Sequence, residues 1–282
     1  MKDTVKKLRE SLLPLYGPRE TEAIIRLIFH YLKGWDLTAI LIHGDDELSP
    51  FIKEEIDKIL QRLLNYEPIQ YITGEARFHG LELKVKPGVL IPRPETAELV
   101  DIIVDEADRR EDLQVLDVGT GSGAIALALA SSLRFPQIYA LDISKDALEV
   151  ARENAKNLNL KIQFIQADIF KWEPDGYFDI IVSNPPYIDL SERSSMERNV
   201  IDYEPEEALF VPDNDPICFY KRIADIGYRR LKADGRIYFE INPRHAVEIK
   251  NLLIDKRFTD VEIVRDSFGK ERFVKGIWKD KH

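Results

Sequence analysis

Apolar residues recur every three or four positions through the first 65 residues, which is the spacing of amphipathic helices. At Ser49-Pro50, a hydroxyl that can cap free amide groups precedes a proline that suits the first helical turn, so a helix is predicted to begin there. We therefore predict a small helical domain over residues 1–74. The segments with this spacing are TVKKLRESLLPLY, TEAIIRLIFHYLKG and SPFIKEEIDKILQRLLNY.

The pattern changes over residues 75–92, EARFHGLELKVKPGVLIP. Apolar and polar residues alternate in LELKV, and a Pro87-Gly88 turn then leads into VLIP. Two extended runs around a turn indicate a β-hairpin. We expect this hairpin to link the helical domain to the rest of the chain.

From residue 93 to residue 282, short β-rich runs alternate with helical stretches. Such alternation predicts βαβ crossovers and an α/β domain whose parallel sheet is covered on both faces. A final strand pair near the C-terminus would add an antiparallel strand, which makes a mostly parallel sheet of seven strands. The predicted strands are LQVLDV, QIYAL, KIQFI, FDIIVS, RIYFEI, FTDVEIV and RFVKGIW, and the predicted helices are AIALALASSL, ALEVARENAKNL and ICFYKRIADIGYRRL.

Composition narrows the classes of function. No run approaches the ~20 apolar residues that span a bilayer, and the N-terminus lacks the apolar stretch of a signal peptide, so we expect a cytoplasmic protein that does not bind membranes. A net charge of −10 argues against direct nucleic-acid binding, which requires clustered Lys and Arg. One cysteine, Cys218, excludes an internal disulfide. No metal site is expected, because the histidines are scattered, and a monomer is favoured. The histidines are His30, His43, His79, His245 and His282.

A glycine-rich turn, DVGTGSG at residues 117–123, follows a predicted strand and opens a predicted helix. Glycine lets the backbone turn sharply and approach a ligand, and the free amides of a helix start bind polar ligand groups. The spacing also fits the dinucleotide fingerprint, so a methyltransferase, a nicotinamide enzyme and a simple tight turn are all compatible with it. The candidate cofactor-binding residues are Gly119, Thr120, Gly121, Ser122 and Gly123.

Two aspartates follow the next strands. Asp142 lies about 20 residues beyond the glycine turn, where a carboxylate can accept both ribose hydroxyls of an adenosine. It is also a candidate helix cap, but Ser144 is the better cap. Asp168 follows the third strand and can reach an adenine amino group, although a turn aspartate also suits that position. Ile169 and Phe170 can supply apolar contacts to the adenine ring.

The fourth strand ends in Asn184-Pro185-Pro186-Tyr187. The prolines make the loop rigid and remove two donors, which leaves it rich in acceptors. The Asn184 side-chain oxygen and the Pro185 carbonyl can each accept one hydrogen of a planar amide or amino nitrogen and orient it for attack on a sulfonium methyl. Tyr187 can stack on the planar group. Asn184, Pro185 and Tyr187 are the predicted catalytic residues, and all four residues are predicted to bind the substrate.

Three other functions fit part of this pattern. A nucleic-acid adenine methyltransferase uses the same loop chemistry, but it must hold phosphates around a flipped base, and the chain has no basic stripe. A nicotinamide-dependent dehydrogenase fits the glycine turn and leaves the acceptor loop unexplained. A nucleotide-binding interaction module leaves it unexplained as well. An S-adenosylmethionine-dependent methyltransferase accounts for both loops.

Residues 66–101, YEPIQYITGEARFHGLELKVKPGVLIPRPETAELVD, together with DVGTGSGAIALALA and SNPPYI, resemble the bacterial protein-glutamine methyltransferases of peptide chain release factors, the PrmC/HemK family. The resemblance covers essentially the whole chain. QYITGE and LIPRPET are its most specific motifs, since DNA adenine methyltransferases also carry the NPPY loop.

The resemblance implies a class I, Rossmann-like methyltransferase that methylates the side-chain amide of the glutamine in the Gly-Gly-Gln motif of release factors. It places cofactor contacts at Gly119 to Gly123, Asp142, residues 168–169 and Asn184, and the substrate glutamine on Asn184 to Tyr187. One position departs from the family pattern. Two acidic residues usually follow LIPRPET, and here Ala97 replaces the first while Glu98 remains. Arg93 and Glu95 match the motif, either as ligand contacts or as an ion pair that fixes the linker.

Overall fold

The computed structural model describes residues 1–108 and 110–279, so Arg109 and the end of the predicted 93–282 domain, including His282, lie outside it. The helices are α1 (Lys2–Lys33), α2 (Leu37–Ile42), α3 (Pro50–Leu64), α4 (Ile69–Thr73), α5 (Pro94–Ala107), α6 (Ala124–Ser132), α7 (Lys145–Asn157), α8 (Arg198–Ile201), α9 (Glu206–Leu209), α10 (Cys218–Arg230) and α11 (Ala246–Asp255). The strands are β1 (Glu75–Phe78), β2 (Leu81–Lys84), β3 (Gln114–Val118), β4 (Gln137–Asp142), β5 (Ile162–Gln166), β6 (Phe178–Ser183), β7 (Ile188–Asp189), β8 (Phe210–Val211), β9 (Leu231–Glu240), β10 (Thr259–Arg265) and β11 (Glu271–Trp278).

The chain forms two compact units. The smaller unit contains Met1–Glu75 and also Glu197–Tyr203, a segment that the sequence analysis assigned to the 93–282 domain. The larger unit contains the described residues of Ala76–Met196 and Glu204–His282. No helix in the described part of the chain combines the length and the apolar character needed to cross a membrane.

The smaller unit is a helical bundle with its own core. Helix α1 changes direction at Gly17, whose backbone is non-helical at φ 70° and ψ 172°. The predicted start of α3 is confirmed, since the Ser49 hydroxyl accepts from the Ile52 amide and Pro50 occupies the first turn. The 197–203 segment joins this unit through Tyr203, whose hydroxyl donates to the Asn65 carbonyl at 2.9 Å. The core contains Leu8, Leu12, Ile24, Ile28, Phe29, Ile56, Leu60 and Leu63.

A hairpin is present between residues 75 and 92, but its predicted turn was wrong. Strands β1 and β2 pair in a two-stranded sheet and turn at His79-Gly80. Both residues have positive φ, 46° and 76°, as a two-residue hairpin turn of type I′ requires. VLIP is not a strand. Its apolar residues Val89 and Ile91 are buried, but the segment is irregular. The prediction failed because alternate residues can be buried without any strand pairing.

The larger unit contains the predicted seven-stranded sheet, with strand order β10-β11-β9-β6-β3-β4-β5. Strands β9, β6, β3, β4 and β5 pair in parallel, and β11 runs antiparallel to both β9 and β10. The strand predicted to begin at Arg236 begins at Leu231, and its register against β6 shifts between Phe178 and Ile180. Helices α5 and α11 were not predicted from the sequence. The fold class is otherwise confirmed.

Helices cover both faces of this sheet. Helices α5 and α6 pack on one face, where Leu99, Ile103 and Leu127 are fully buried, and α10 and α11 pack on the other face. The chain passes from β3 to β4 to β5 in one direction and then returns to β6 on the other side of β3. Such a reversal opens a crevice between the loops that follow β3 and β6 at their carboxyl ends, where α/β sheets bind ligands.

Candidate active site

A cavity of about 310 Å³ lies at the carboxyl edge of the sheet, within the larger unit. Strand register aligns the loops that form it, since Ser183 pairs with Val118 and Val118 pairs with Leu141. The glycine turn, Asp142 and the acceptor loop therefore begin side by side. The predicted site residues on the cavity wall are Gly119, Thr120, Gly121, Ser122, Asp142, Asp168, Ile169, Phe170, Asn184, Pro185 and Pro186.

The glycine turn depends on backbone conformations that favour glycine. Gly119, Gly121 and Gly123 have φ values of 74°, 56° and 84°. A Cβ built on Gly119 or Gly121 meets no atom of the described chain within 4 Å, which leaves room for a ligand directly over the turn. Gly123 is needed for close packing instead, because a Cβ added at this position would lie 3.0 Å from Leu127 Cδ1 and 3.2 Å from Ala151 Cβ.

Two polar side chains hold the glycine turn. Asp142 accepts the Gly121 amide at 2.8 Å with one oxygen and the Ser144 amide at 2.9 Å with the other, and burial raises its pKa. Ser144 caps α7 as expected, so Asp142 braces the turn and still has lone pairs free for a ligand. Buried Asn154 donates to the carbonyls of Ser122 and Lys84, both at 3.0 Å.

A buried carboxylate lies beneath the same turn. Asp117 Oδ2 accepts the Thr120 hydroxyl at 2.6 Å and the Ala126 amide at 3.1 Å. Its Oδ1 is buried and has no hydrogen-bond partner among the described residues. Burial raises the pKa of Asp117 to about 7. Asp117 is part of the glycine motif, but no role was predicted for it from the sequence.

The loop after β5 places a polar and an apolar side chain, Asp168 and Ile169, at the cavity. Asp168 Oδ1 accepts the Phe170 amide at 3.0 Å, which holds the pKa of Asp168 below its usual value, and Oδ2 pairs with Lys171. Asp168 therefore stabilises its own turn and also lines the cavity. Ile169 is buried, whereas Phe170 is exposed and packs against Phe219 with ring centroids 5.1 Å apart.

The acceptor loop begins where β6, buried along its whole length, stops pairing. The Ser183 hydroxyl donates to the Val118 carbonyl at 2.7 Å and joins the strand end to β3. Asn184 Nδ2 donates to the Thr96 hydroxyl oxygen at 3.3 Å, and Thr96 donates to Glu240 Oε2 at 2.6 Å.

Tyr187 is held differently from the other loop residues. Its hydroxyl donates to Glu240 Oε1 at 3.1 Å, its carbonyl accepts from Asn242 Nδ2 at 3.1 Å, and its ring packs against the apolar cluster beneath the sheet. Burial raises the pKa of Tyr187. Among the described residues, Tyr187 is not part of the cavity wall, so its stacking on a substrate stays a prediction.

Thr96, Glu240 and Asn154 were not predicted from the sequence. Glu240 carried the same signal that marked Asp142, namely an acidic residue at the carboxyl end of a buried strand. Thr96 is part of LIPRPET, but its spacing indicated no chemistry. Asn154 lies in the middle of a helix and carried no signal at all.

Comparison with known proteins identifies both parts of the chain. The family described as "Methyltransferase domain" matches residues 109–249, and the "PrmC N-terminal domain" matches residues 6–74. A release factor glutamine methyltransferase of Bacteroides thetaiotaomicron is 45% identical over 272 residues, which cover 95% of this chain and 96% of that protein. The chain belongs to the release factor glutamine methyltransferase family.

A further relative agrees with this family, and a solved structure agrees with the fold. The release factor glutamine methyltransferase of Streptococcus pneumoniae is 46% identical over 255 residues, which cover 89% of each chain. A methyltransferase crystal structure from Pyrococcus furiosus matches with a TM-score of 0.54 at 18% identity, covering 79% of this chain and 100% of that one. The second match supports the fold.

In this member of the release factor glutamine methyltransferase family, the LIPRPET segment fixes the wall of the cavity. Arg93 pairs with buried Glu204 at 2.6 Å, and the other Glu204 oxygen accepts the Ile91 amide at 3.2 Å. Glu98, two residues beyond this segment, accepts hydrogen bonds from the Ser267 amide at 2.8 Å and from the Ser267 hydroxyl at 2.7 Å. These bonds hold the turn between β10 and β11.

Proposed function

We propose that this protein transfers a methyl group from S-adenosylmethionine to the side-chain amide nitrogen of a glutamine in peptide chain release factors. The observation that carries the proposal is a single cavity that joins a glycine turn with open room above it to a rigid, acceptor-rich loop. Membership of the release factor glutamine methyltransferase family supports the substrate class.

The residues on one side of the cavity suit S-adenosylmethionine. Gly119 and Gly121 leave space for a ligand that approaches the backbone, and the Asp142 carboxylate has lone pairs for ribose hydroxyls. Asp168 and Ile169 would contact the adenine. When bound, S-adenosylmethionine supplies a sulfonium methyl that is electrophilic without further activation.

The residues on the other side suit a primary amide. The Asn184 Oδ1 and the Pro185 carbonyl would accept the two amide hydrogens and turn the nitrogen lone pair toward the methyl group. Such preplaced acceptors act through proximity and electrostatic preorganisation. No strong base is required. As the new N–C bond forms, the bond between sulfur and the methyl group would break with its electron pair going to sulfur, and the amide proton, made acidic by the new bond, would be lost to solvent.

The finer assignments belong to the same proposal. The glutamine would be that of the Gly-Gly-Gln motif, the protein would act as a cytoplasmic monomer, and the helical unit would recognise the release factor. The decisive experiment is transfer of a radiolabelled methyl group to purified release factor. A Gln→Ala change in the Gly-Gly-Gln motif should abolish labelling, whereas persistent labelling of that variant would contradict the assignment. Duplex DNA should not be labelled.

The role of the helical unit has its own test. If this unit binds the release factor outside the Gly-Gly-Gln loop, the intact factor should have a higher kcat/KM than a short peptide with the same motif. Equal values for peptide and intact protein would remove partner recognition from the helical unit, while leaving the chemistry unaffected.

A further inference from the structure

Beneath the acceptor loop lies a chain of three side chains from three separate elements. Glu240 ends β9, Thr96 lies in the first turns of α5, and Asn184 follows β6. Because Ser183 pairs with Phe239 in the parallel register, Asn184 and Glu240 follow paired residues on neighbouring strands. Glu240 and Thr96 are 1% and 4% exposed, so water does not compete for these bonds.

When Glu240 is ionised, the number of hydrogens determines the direction of every bond in this chain. Burial raises the pKa of Glu240, while the hydrogen bonds from Thr96 and Tyr187 and the charge of Arg272 act against that rise. The hydroxyls of Thr96 and Tyr187 both donate to Glu240, one to each oxygen, and a carboxylate offers acceptors only. Thr96 has a single hydroxyl hydrogen, and that hydrogen is used in the 2.6 Å bond to Glu240. Its oxygen can therefore only accept from Asn184.

We propose that Glu240 and Thr96 are positioning residues that hold the Asn184 amide with its nitrogen toward Thr96 and its oxygen toward the substrate. An amide rotated by 180° would bring its oxygen against a hydroxyl oxygen that has no hydrogen to offer. This inference rests on the proposed function, because the oxygen so oriented is the one that would accept the hydrogen of the substrate amide.

The fixed orientation matters because an asparagine side chain presents either a donor or an acceptor, depending on its rotation. A primary amide nitrogen brings two hydrogens, so Asn184 must offer it Oδ1. The Tyr220 hydroxyl donates to the Glu240 backbone carbonyl at 2.9 Å, which further secures the end of β9.

The test compares Thr96→Val, which keeps the shape and removes the hydroxyl, with Thr96→Ser, which keeps the hydroxyl. On release factor at saturating cofactor, Thr96→Val should lower kcat roughly ten- to a hundredfold, because the acceptor is misplaced, while KM and cofactor affinity stay near wild type. Thr96→Ser should recover most of kcat. A purely structural bond would lower the melting temperature and leave kcat unchanged, and that result would overturn the proposal.

A double mutant shows whether Thr96 acts through Asn184. In the Asn184→Ala background, Thr96→Val should lower kcat no further, since residues that act as one unit are not additive. A full additional loss would mean that Thr96 acts elsewhere and would overturn the proposal.

A measurement without turnover separates this inference from the proposed function. The Asn184 side-chain NH2 resonances, assigned by their loss in Asn184→Ala, should exchange slowly with water in the wild type and in Thr96→Ser, and faster in Thr96→Val. Equal exchange in all three would overturn the positioning role. A wild-type enzyme that labels no release factor but shows this pattern would contradict only the proposed function.

Discussion

The glycine turn and the acceptor loop lie side by side in one cavity and are built by different means. The glycine turn presents backbone, and its conformation is held by Asp142 and Asn154. The acceptor loop presents the Asn184 side chain, whose direction is set by other side chains. Each loop lies over a buried carboxylate. Asp117 has one oxygen without a partner among the described residues, whereas both oxygens of Glu240 accept hydroxyls.

Because of this difference, we expect variants of the glycine turn to change cofactor affinity and variants of the acceptor loop to change turnover. Changes in the glycine turn alter backbone geometry and the room for a ligand, and they should act on cofactor affinity and stability. Changes in the acceptor loop remove a single dipole without moving backbone, and they should act on kcat. The following variants test that separation.

Asn184→Ala should give the largest effect. Removing one preplaced dipole, such as a donor of an oxyanion hole, lowers turnover by about 10²–10³-fold, and we expect a loss of similar size here. Cofactor affinity should change little because the glycine turn is intact. Asn184→Asp should retain more activity than Asn184→Ala, since a carboxylate oxygen still accepts a hydrogen bond. Single-turnover rates on release factor, with cofactor affinity measured by calorimetry, provide the comparison. A wild-type rate in Asn184→Ala would place the substrate nitrogen elsewhere.

Asp117 should make stability depend on pH. With its pKa raised to about 7, the folded protein keeps a proton that the unfolded chain loses above about pH 4. The folded state therefore binds more protons between these values, and the free energy of unfolding falls as pH rises toward 7 and then levels off. From pH 5 to pH 8, this loss should be on the order of 2–3 kcal/mol.

Asp117→Asn provides the control for this pH dependence, because an amide does not titrate in this range. Urea unfolding at both pH values should show a smaller difference for the variant than for the wild type. The same pH difference in both proteins would show that Asp117 is ionised in the folded state throughout.

Asp142→Ala should weaken S-adenosylmethionine binding roughly tenfold or more, because it removes a charged acceptor worth ~1.5–3 kcal/mol. It also removes the brace on the Gly121 amide, so part of the loss comes from a looser turn. The methyl-transfer rate at saturating cofactor should fall less than the affinity does. Unchanged affinity by calorimetry would exclude Asp142 from the cofactor site.

Gly121→Ala and Gly80→Ala form a matched pair with the smallest effects. Both glycines have positive φ and open space around a new Cβ, so each substitution should cost about 1–2 kcal/mol of stability. Only Gly121 lines the cavity, and only its variant should lose cofactor affinity. Equal affinity in the two variants would mean that the ligand does not approach the turn closely.

Sequence patterns predicted the parts of this site that depend on local chain chemistry. The strands have strong β patterns, and the glycines and prolines carry their own conformational signals, so the sheet and both loops followed from them. The Thr96–Glu240 contact joins residues 144 positions apart and leaves no local pattern. The turn of the hairpin was misplaced because Pro87-Gly88 is the stronger turn signal, whereas His79-Gly80 forms the pairing turn.

The helical unit is built from two separate segments of the chain, and this affects its folding during synthesis on the ribosome. The Tyr203 hydroxyl and the Asn65 carbonyl that it binds are separated by 138 residues, and the Arg198 guanidinium stacks over Tyr66 at 4.3 Å. A ribosome adds about 5–20 residues per second, so the first helices emerge several seconds before their last partner exists. The N-terminal unit therefore completes its contacts only after strands β1 to β7 have been translated.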